Sequence, residues 1–499
     1  MTLDLQLCSR ARLARDARFD GKFYIAVLTT RIYCRPICRS RTSQEKNVRY
    51  FQTAAAAAEA GFRPCLRCRP ECSPGTAAWA GTKNTVSRAL RLINETGLEE
   101  GGIEALAAHL GLGSRHLRRL FLRHLGASPR AVAQTRRLHF AKKLIDETAL
   151  PMTQIAIAAG FGSVRRFNAA VHKVYGRTPT ELRARVMKKI AAQPDNQYLF
   201  HLDYRPPYAW REMLAALRAR ATPGTECVVD DAYRRTVTVN GVPGHLEVTL
   251  SEAGDALDVR VNIEEPRSLF LIIERIRAMF DLDADWPTIE RVLKADPALA
   301  PRVRAFPGVR VAGCWSGFEL AVHAMLTPAA SPVAALVAVF GARVDFAAGL
   351  THLFPTAEVL ADADLQRAGL GKVQSLGVRT LARAVRDGRV SFEKVTDPDA
   401  VLRALAGMPG FTPAALEYVA MRALREPDAF PLKPHEVVEA LGLEVANAVG
   451  AAQIERRTSA WRPWRAYAAA YLAGPAAGAP QESLRISRRK SSTSASVVA

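Results

Sequence analysis

Ile32-Tyr33-Cys34-Arg35-Pro36-Ile37-Cys38-Arg39 and Phe62-Arg63-Pro64-Cys65-Leu66-Arg67-Cys68-Arg69 set four cysteines as C-x3-C, a gap of 26 residues, and C-x2-C. Two thiolate pairs drawn from separate parts of a chain suit an all-cysteine zinc site, because zinc takes four soft ligands at tetrahedral corners. Five arginines, Arg35, Arg39, Arg63, Arg67 and Arg69, lie within two residues of these cysteines. A purely structural site does not require them, whereas a thiolate that must meet a phosphate benefits from them. Cys72 is a possible fifth sulfur, but the C-x2-C pair fits better, and Cys8, Cys227 and Cys314 stand alone. Spacing alone leaves a structural ribbon and a reactive centre equally open.

Around the cysteines, residues 1–75 read as a small mixed domain. Tyr24 to Thr30 is a β-type run, and Thr53 to Ala60 is a short alanine helix stopped by Gly61. So small a domain has a limited core, and a bound metal supplies the missing stability. Five of the eight cysteines fall within 39 residues, a pattern that favours metal over disulfides. The chain has no uncharged run of 18 apolar residues and no apolar leader near Met1, so a cytoplasmic, nucleoid-associated protein without membrane contact is expected.

Charge points to the partner. Residues 1–190 hold 34 Lys and Arg against 13 Asp and Glu, while residues 191–499 hold 35 of each. The whole excess of +21 therefore lies in the first 190 residues, which marks that part as the polyanion-binding surface. Residues 82–190 read as helices carrying two helix-turn-helix units. The first runs from Ile103 to Gly111 and continues from Ser114 to Phe121; the second runs from Met152 to Phe161 and continues from Ser163 to Val171. Each has an apolar helix, a glycine turn and a serine expected to cap the second helix. A linking helix, Pro129 to Glu147, separates them. Arg115, His116, Arg118, Arg165, Arg166 and Asn168 sit where base edges of double-stranded DNA are reached.

The back half changes character. Over residues 196–308, Trp210 to Ala219 and Phe270 to Phe280 read as helices. Arg235 to Asn240, His245 to Leu250 and Leu257 to Ile263 read as strands of an antiparallel sheet, giving an α+β domain. The acidic run Asp281 to Asp285 reads as a loop or cap rather than a metal site. Residues 309–475 are helical, and the Ala-, Ser- and Gly-rich, basic stretch 476–499 reads as a disordered tail.

Three resemblances follow from these motifs. F-Y-I-A-V-L-T-T-R-I-Y-C-R-P-I-C-R-S-R with G-F-R-P-C-L-R-C-R-P resembles the Ada-type zinc domain of bacterial alkylation repair. That resemblance implies one zinc ion on Cys34, Cys38, Cys65 and Cys68, with Cys34 taking a methyl group irreversibly from a DNA methylphosphotriester. It also implies DNA contacts near Thr30, Arg41, Arg63 and Arg67. The paired helix-turn-helix units, closing on Y-G-R-T-P-T-E-L-R, resemble an AraC-type domain. This implies transcription activation at promoters, with RNA polymerase as a further partner. Residues 196–308 and 309–475 resemble the N-terminal and helix-hairpin-helix domains of AlkA-type 3-methyladenine glycosylases, on M-P-G-F-T-P, E-Y-V-A-M-R-A-L, P-D-A-F-P and W-R-P-W-R-A-Y. The expected whole is a multidomain chain: a small α/β zinc domain, an all-α double helix-turn-helix domain, an α+β domain and an all-α helix-hairpin-helix domain.

The last resemblance has informative departures. The family hairpin G-[IV]-G is Gly410-Phe411-Thr412 here, and the Trp-Thr-Ala that follows its proline is Ala414-Ala415-Leu416. An upstream Q-Q-V-[ST] loop reads Thr327 to Ser331. The catalytic aspartate position is Pro434, which has no carboxylate, although Tyr418 and Trp461 of the glycosylase-like site are kept. An impaired glycosylase domain follows, unless Glu436 or Asp428 substitutes by a local shift. The alternative is an active 3-methyladenine glycosylase that the front half only targets and regulates. A third reading is a transcription factor with a purely structural zinc. No P-C-H-R motif is present, so repair of O6-methylguanine is not expected.

Overall fold

The computed structural model describes residues 3–74, 85–96, 102–186, 194, 196–326, 331–346, 349–395, 397–432, 434–441 and 449–473. The tail 476–499 and Thr327 to Ala330 lie outside the described residues.

The cysteine-bearing region folds around a four-stranded sheet in the order β3-β1-β2-β4, with β1 Tyr24–Val27, β2 Ile32–Cys34, β3 Val48–Phe51 and β4 Arg63–Pro64. The expected strand to Thr30 stops at Val27, because the Arg31 N–H donates to the Val27 carbonyl at 2.9 Å and Arg31 takes φ +57°. That turn sends β2 back antiparallel, pairing Cys34 with Ile25, while β2 runs parallel to β4 with Tyr33 opposite Pro64. The alanine helix Ala54–Glu59 is capped by Thr53, whose Oγ1 accepts from Ala56 N–H at 3.0 Å. Its core, Tyr24, Ala26, Tyr33, Ala54, Ala57 and Phe62, is small, as the length of the domain required.

Helices Gly102–His109 and Ser114–Leu125 form the first helix-turn-helix, and Met152–Ala158 and Val164–Tyr175 the second, with Pro129–Glu147 between them. Gly111 and Gly160 adopt φ of +67° and +73° in the turns, where a side chain would be strained. Ser163 caps as expected, its Oγ accepting from Arg166 N–H at 3.2 Å. Ser114 does not: Gly113 holds the cap position, and Ser114 is already helical. Gly126 and Gly176 end the two recognition helices in left-handed conformation.

The α+β region has a five-stranded antiparallel sheet, β5-β9-β8-β7-β6, formed by Gln197–Asp203, Glu226–Val229, Ala232–Val239, Val242–Leu250 and Ala256–Ile263 in chain order as β5 to β9. Three strands match the reading. The two unread ones, β5 and β6, are the sheet edges. The sheet shares one core with the second helix-turn-helix: Phe167, Val171 and Tyr175 belong to the same buried cluster as Phe200, Leu246 and Val259.

The remaining helices build two cores. One holds Leu320, Leu381, Tyr418 and Val419. The other holds Trp286 and Ile289 together with Trp461, Tyr467 and Tyr471, so it joins residues on both sides of position 308. Asp296 anchors that second core, accepting from Arg457 at 2.7 and 2.9 Å and from Trp461 Nε1–H at 2.9 Å. Burial pushes its carboxyl up, but the bonds from Arg457, the Ala298 N–H and Trp461 outweigh this and bring it down to about 2. A depressed carboxyl contributes stability above its unfolded pKa and loses it as pH falls through the folded one. Asp296→Ala is therefore expected to cost about 2 kcal/mol at pH 7. The difference from the parent protein should vanish as pH falls toward 2, as urea denaturation followed by tryptophan fluorescence will show.

The front and back halves are bolted together. The fully buried Arg205 donates to the Asp20 carbonyl at 2.7 Å and the Asp283 carbonyl at 2.7 Å, and Lys22 pairs with Asp285. Among the described residues, no helix is long and apolar enough to cross a membrane.

Candidate metal centre and nucleic-acid interface

The sheet brings the four cysteines together. Cys34 ends β2, and Cys38 follows a turn closed by its own N–H on the Arg35 carbonyl at 3.1 Å. Cys65 follows β4, its N–H on the Tyr33 carbonyl at 3.0 Å. Cys68 completes the turn that ends with Arg69 N–H on the Cys65 carbonyl at 3.1 Å. The four Sγ atoms all lie within 4.8 Å of one another, the one group of metal-ligating side chains found among the described residues. Cys65 is buried; Cys34, Cys38 and Cys68 are partly open.

The donor set fits a soft divalent cation. Four negative charges so close need compensation, which a Zn2+ held by Cys34, Cys38, Cys65 and Cys68 provides. The Arg35 N–H already donates to Cys68 Sγ at 3.3 Å, and Cys38 Sγ lies 3.3 Å from Ser40 Oγ. Cys72 is outside the cluster, and burial pushes its thiol up to about 12. The acidic run does not converge either. Asp281 accepts from Tyr467 Oη–H at 2.7 Å, Asp283 pairs with Arg277 and Asp285 with Lys22.

The five arginines divide into two groups. Arg35 is buried, paired with Asp20 and, at 2.8 Å, with Asp203 of β5. Arg69 pairs with Glu147 at 2.9 Å and Asp146 at 3.1 Å on the linking helix. These two fasten the cysteine turns to the rest of the chain and are not available to a phosphate. Arg39, Arg63 and Arg67 are exposed, as are Thr30 and Arg41. Arg63 abuts Gly176 at the end of the second recognition helix, which brings cysteine domain and helix-turn-helix surface side by side. Tyr33, next to Cys34, is hydrogen-bonded to His139 of the linking helix at 3.0 Å, and burial lowers the His139 imidazole to about 3, keeping it neutral.

Arg115, His116, Arg118, Arg165, Arg166 and Asn168 are all exposed in the first turns of the two recognition helices. Three family models match the chain: the metal binding domain of Ada over residues 7–71, a helix-turn-helix domain over 106–185 and the AlkA N-terminal domain over 199–316. A probable bifunctional transcriptional activator/DNA repair enzyme AlkA of Mycobacterium tuberculosis is 38% identical over 486 residues, covering 94% of this chain and 96% of that protein. The chain belongs to this bifunctional Ada/AlkA family. The bifunctional transcriptional activator/DNA repair enzyme Ada of Escherichia coli is 35% identical over 172 residues, 34% of this chain and 47% of that protein. DNA-3-methyladenine glycosylase 2 of Escherichia coli is 27% identical over 284 residues, 55% of this chain and 96% of that protein.

Within this Ada/AlkA chain, Tyr418 and Trp461 belong to different buried cores. Tyr418 is buried against Arg220, whose guanidinium lies 4.3 Å from its ring centroid, and its hydroxyl meets Arg422. The cavity beside it, about 40 Å³, is also lined by Glu226, Arg235, Glu319 and His323. Trp461 belongs to the other core and is spent on Asp296. Pro434 is the first residue of helix Pro434–Leu441. Asp428 is fully engaged, bridging Arg462 and Arg465, the latter at 2.8 and 3.0 Å. Gly410 takes φ +94°, and Thr412 caps helix Pro413–Arg422, so the hairpin keeps its turn without its second glycine.

The sequence reading missed Asp20, Asp203, Asp146 and Glu147, which hold Arg35 and Arg69. No local signal marks them, since Arg35 and Asp203 are 168 positions apart.

Proposed function

We propose that this Ada/AlkA-type regulator and DNA repair enzyme takes a methyl group from a DNA methylphosphotriester onto Cys34. The observation that carries the proposal is the cluster of four sulfurs with a partly open Cys34, rimmed by exposed Arg39, Arg63 and Arg67. A zinc ion held by Cys34, Cys38, Cys65 and Cys68 supplies a deprotonated sulfur at neutral pH. The Cys34 Sγ lone pair attacks the methyl carbon; the S–C bond forms as the C–O bond breaks, and the phosphate oxygen leaves with its electron pair as a phosphodiester anion. Arg39, Arg63 and Arg67 balance that new charge and seat the backbone.

Transfer turns an anionic sulfur into a neutral thioether, so the site's net charge rises from −2 to −1. One unit at about 4–6 Å from a phosphate is worth roughly 1 kcal/mol. The methylated protein is expected to bind duplex DNA about fivefold more tightly, since 1.4 kcal/mol is tenfold. Fluorescence anisotropy before and after exposure to methylated DNA measures this, and unchanged affinity refutes the switch. Tighter binding then places Arg115, His116, Arg118, Arg165, Arg166 and Asn168 on promoter DNA, with RNA polymerase recruited there. Removing the metal with a chelator is expected to abolish transfer and to open residues 3–74 to protease, because a core this small relies on its metal.

The helix-hairpin-helix part we read as an impaired glycosylase. Pro434 offers no carboxylate to an oxocarbenium-like centre. The cavity beside Tyr418, about 40 Å³, has room for about three or four waters rather than a base, given that one water needs roughly 10–15 Å³ by the same measure. Asp428, one of the two substitutes in sequence, is already committed to two arginines.

A further inference from the structure

We infer that the cleft between the helix-turn-helix region and the back half is a binding site for a nucleoside phosphate, independent of the chemistry at Cys34. The cleft encloses about 650 Å³. On one side lie Arg136 and Arg137 of the linking helix and residues up to Gly160 of the second helix-turn-helix; on the other lie the segments at Trp315, Phe392 and Arg422. Ligand sites typically run to about 300–1,000 Å³, so a mononucleotide or a short stretch of strand fits.

Its charge is out of keeping with its surroundings. Seven cationic side chains line the cleft against two carboxylates. The carboxylates are Glu274, taken by Arg136 at 2.7 Å, and Glu393, taken by Arg275. Five of the cations, Arg267, Arg275, Lys394, Arg422 and Arg425, come from residues 191–499, a half whose 35 basic and 35 acidic residues cancel. The neutral half has thus concentrated positive charge here, where the basic half faces it. Such a field selects an anion.

The cleft also has aromatic walls. Phe270 and Phe392 are half-buried in its lining, and Arg275 lies 5.4 Å from the centroid of the Trp315 ring. Cations set among aromatic faces hold a phosphate and pack a base at once. This is a different face from the hairpin. The Gly410–Thr412 turn precedes helix Pro413–Arg422, whereas Arg422 and Arg425 sit at its far end, ten residues or roughly 15 Å away.

A free nucleotide and a single-stranded DNA segment present the same chemistry, and two probes separate them. Binding of dAMP and of a short oligothymidylate is measured by calorimetry on the full-length protein. The comparison variants are Arg267→Glu with Lys394→Glu, both on exposed side chains, and Arg115→Ala with Arg165→Ala on the recognition helices. Saturable dAMP binding that falls at least tenfold in the cleft variant and persists in the recognition-helix variant establishes a nucleotide site. No dAMP binding, with a tenfold loss of oligothymidylate affinity in the cleft variant alone, establishes a strand site. Binding of neither probe, or binding that the cleft variant leaves unchanged, overturns the inference. Methyl uptake by the cleft variant is expected to match the parent, which separates this result from any failure at Cys34.

Discussion

Cys34→Ala is expected to abolish methyl uptake from DNA carrying methylphosphotriesters, with no residual transfer to the other three cysteines. Transfer needs a sulfur that is both nucleophilic and reachable. Cys65 is buried, and Cys68 is already accepting the Arg35 N–H, a bond that lowers its nucleophilicity. Cys38 lies against Ser40, its Sγ 3.3 Å from the Ser40 Oγ. The loss must not be an unfolding artefact. Three sulfurs and the Arg35–Asp20–Asp203 pairings remain in the variant, so its sheet is expected to survive, and circular dichroism with metal analysis checks that. A Cys72→Ala variant should behave as the parent, because Cys72 is outside the cluster.

The second large effect concerns Pro434. The natural chain is expected to release 3-methyladenine from alkylated DNA at no more than about a hundredth of the rate of its Pro434→Asp variant, since a preorganised charge at a developing cation is worth roughly 3–4 kcal/mol. The substitution is compatible with the local fold. Position 434 opens an eight-residue helix, where proline and aspartate are both favoured in the first turn. Base release by the natural chain equal to that of the variant would sink the impaired reading in favour of an active glycosylase. In that case another carboxylate must serve, and Glu436, in the first turn of the same helix, is the one to replace first.

Local chemistry in this chain could be read, and distant pairing could not. The cysteine spacing is local to two turns, and it placed all four sulfurs. The helix-turn-helix units were readable because apolar periodicity, glycine turns and a serine cap recur within about twenty residues. The cap at Ser114 failed because Gly113 takes the extended cap conformation one residue earlier. Arg35 and Arg69 looked like phosphate ligands, but the structure turns them inward. Their partners, Asp203 and Glu147, lie 168 and 78 positions away. Trp461, read as a residue of the glycosylase-like site, is buried in the core, where Asp296, 165 positions earlier, accepts from its indole. Edge strands β5 and β6 were missed although β5 alternates buried and less buried residues, and each pairs on one side only.

The inward arginines sharpen the account of the cysteine site. Arg35 has its main-chain N–H on Cys68 and its guanidinium on Asp203 of the α+β domain. The cysteine cluster is thereby fixed to the back half, while Arg39, Arg63 and Arg67, like Thr30 and Arg41, stay exposed.

The most direct test is peptide mapping by mass spectrometry after the zinc-loaded protein has been incubated with DNA bearing methylphosphotriesters. One added methyl group per chain is expected, confined to the peptide containing Cys34 and absent when unmethylated DNA is used. Recovery of an unmodified chain, or of the methyl group on Cys38, Cys65 or Cys68, would contradict it.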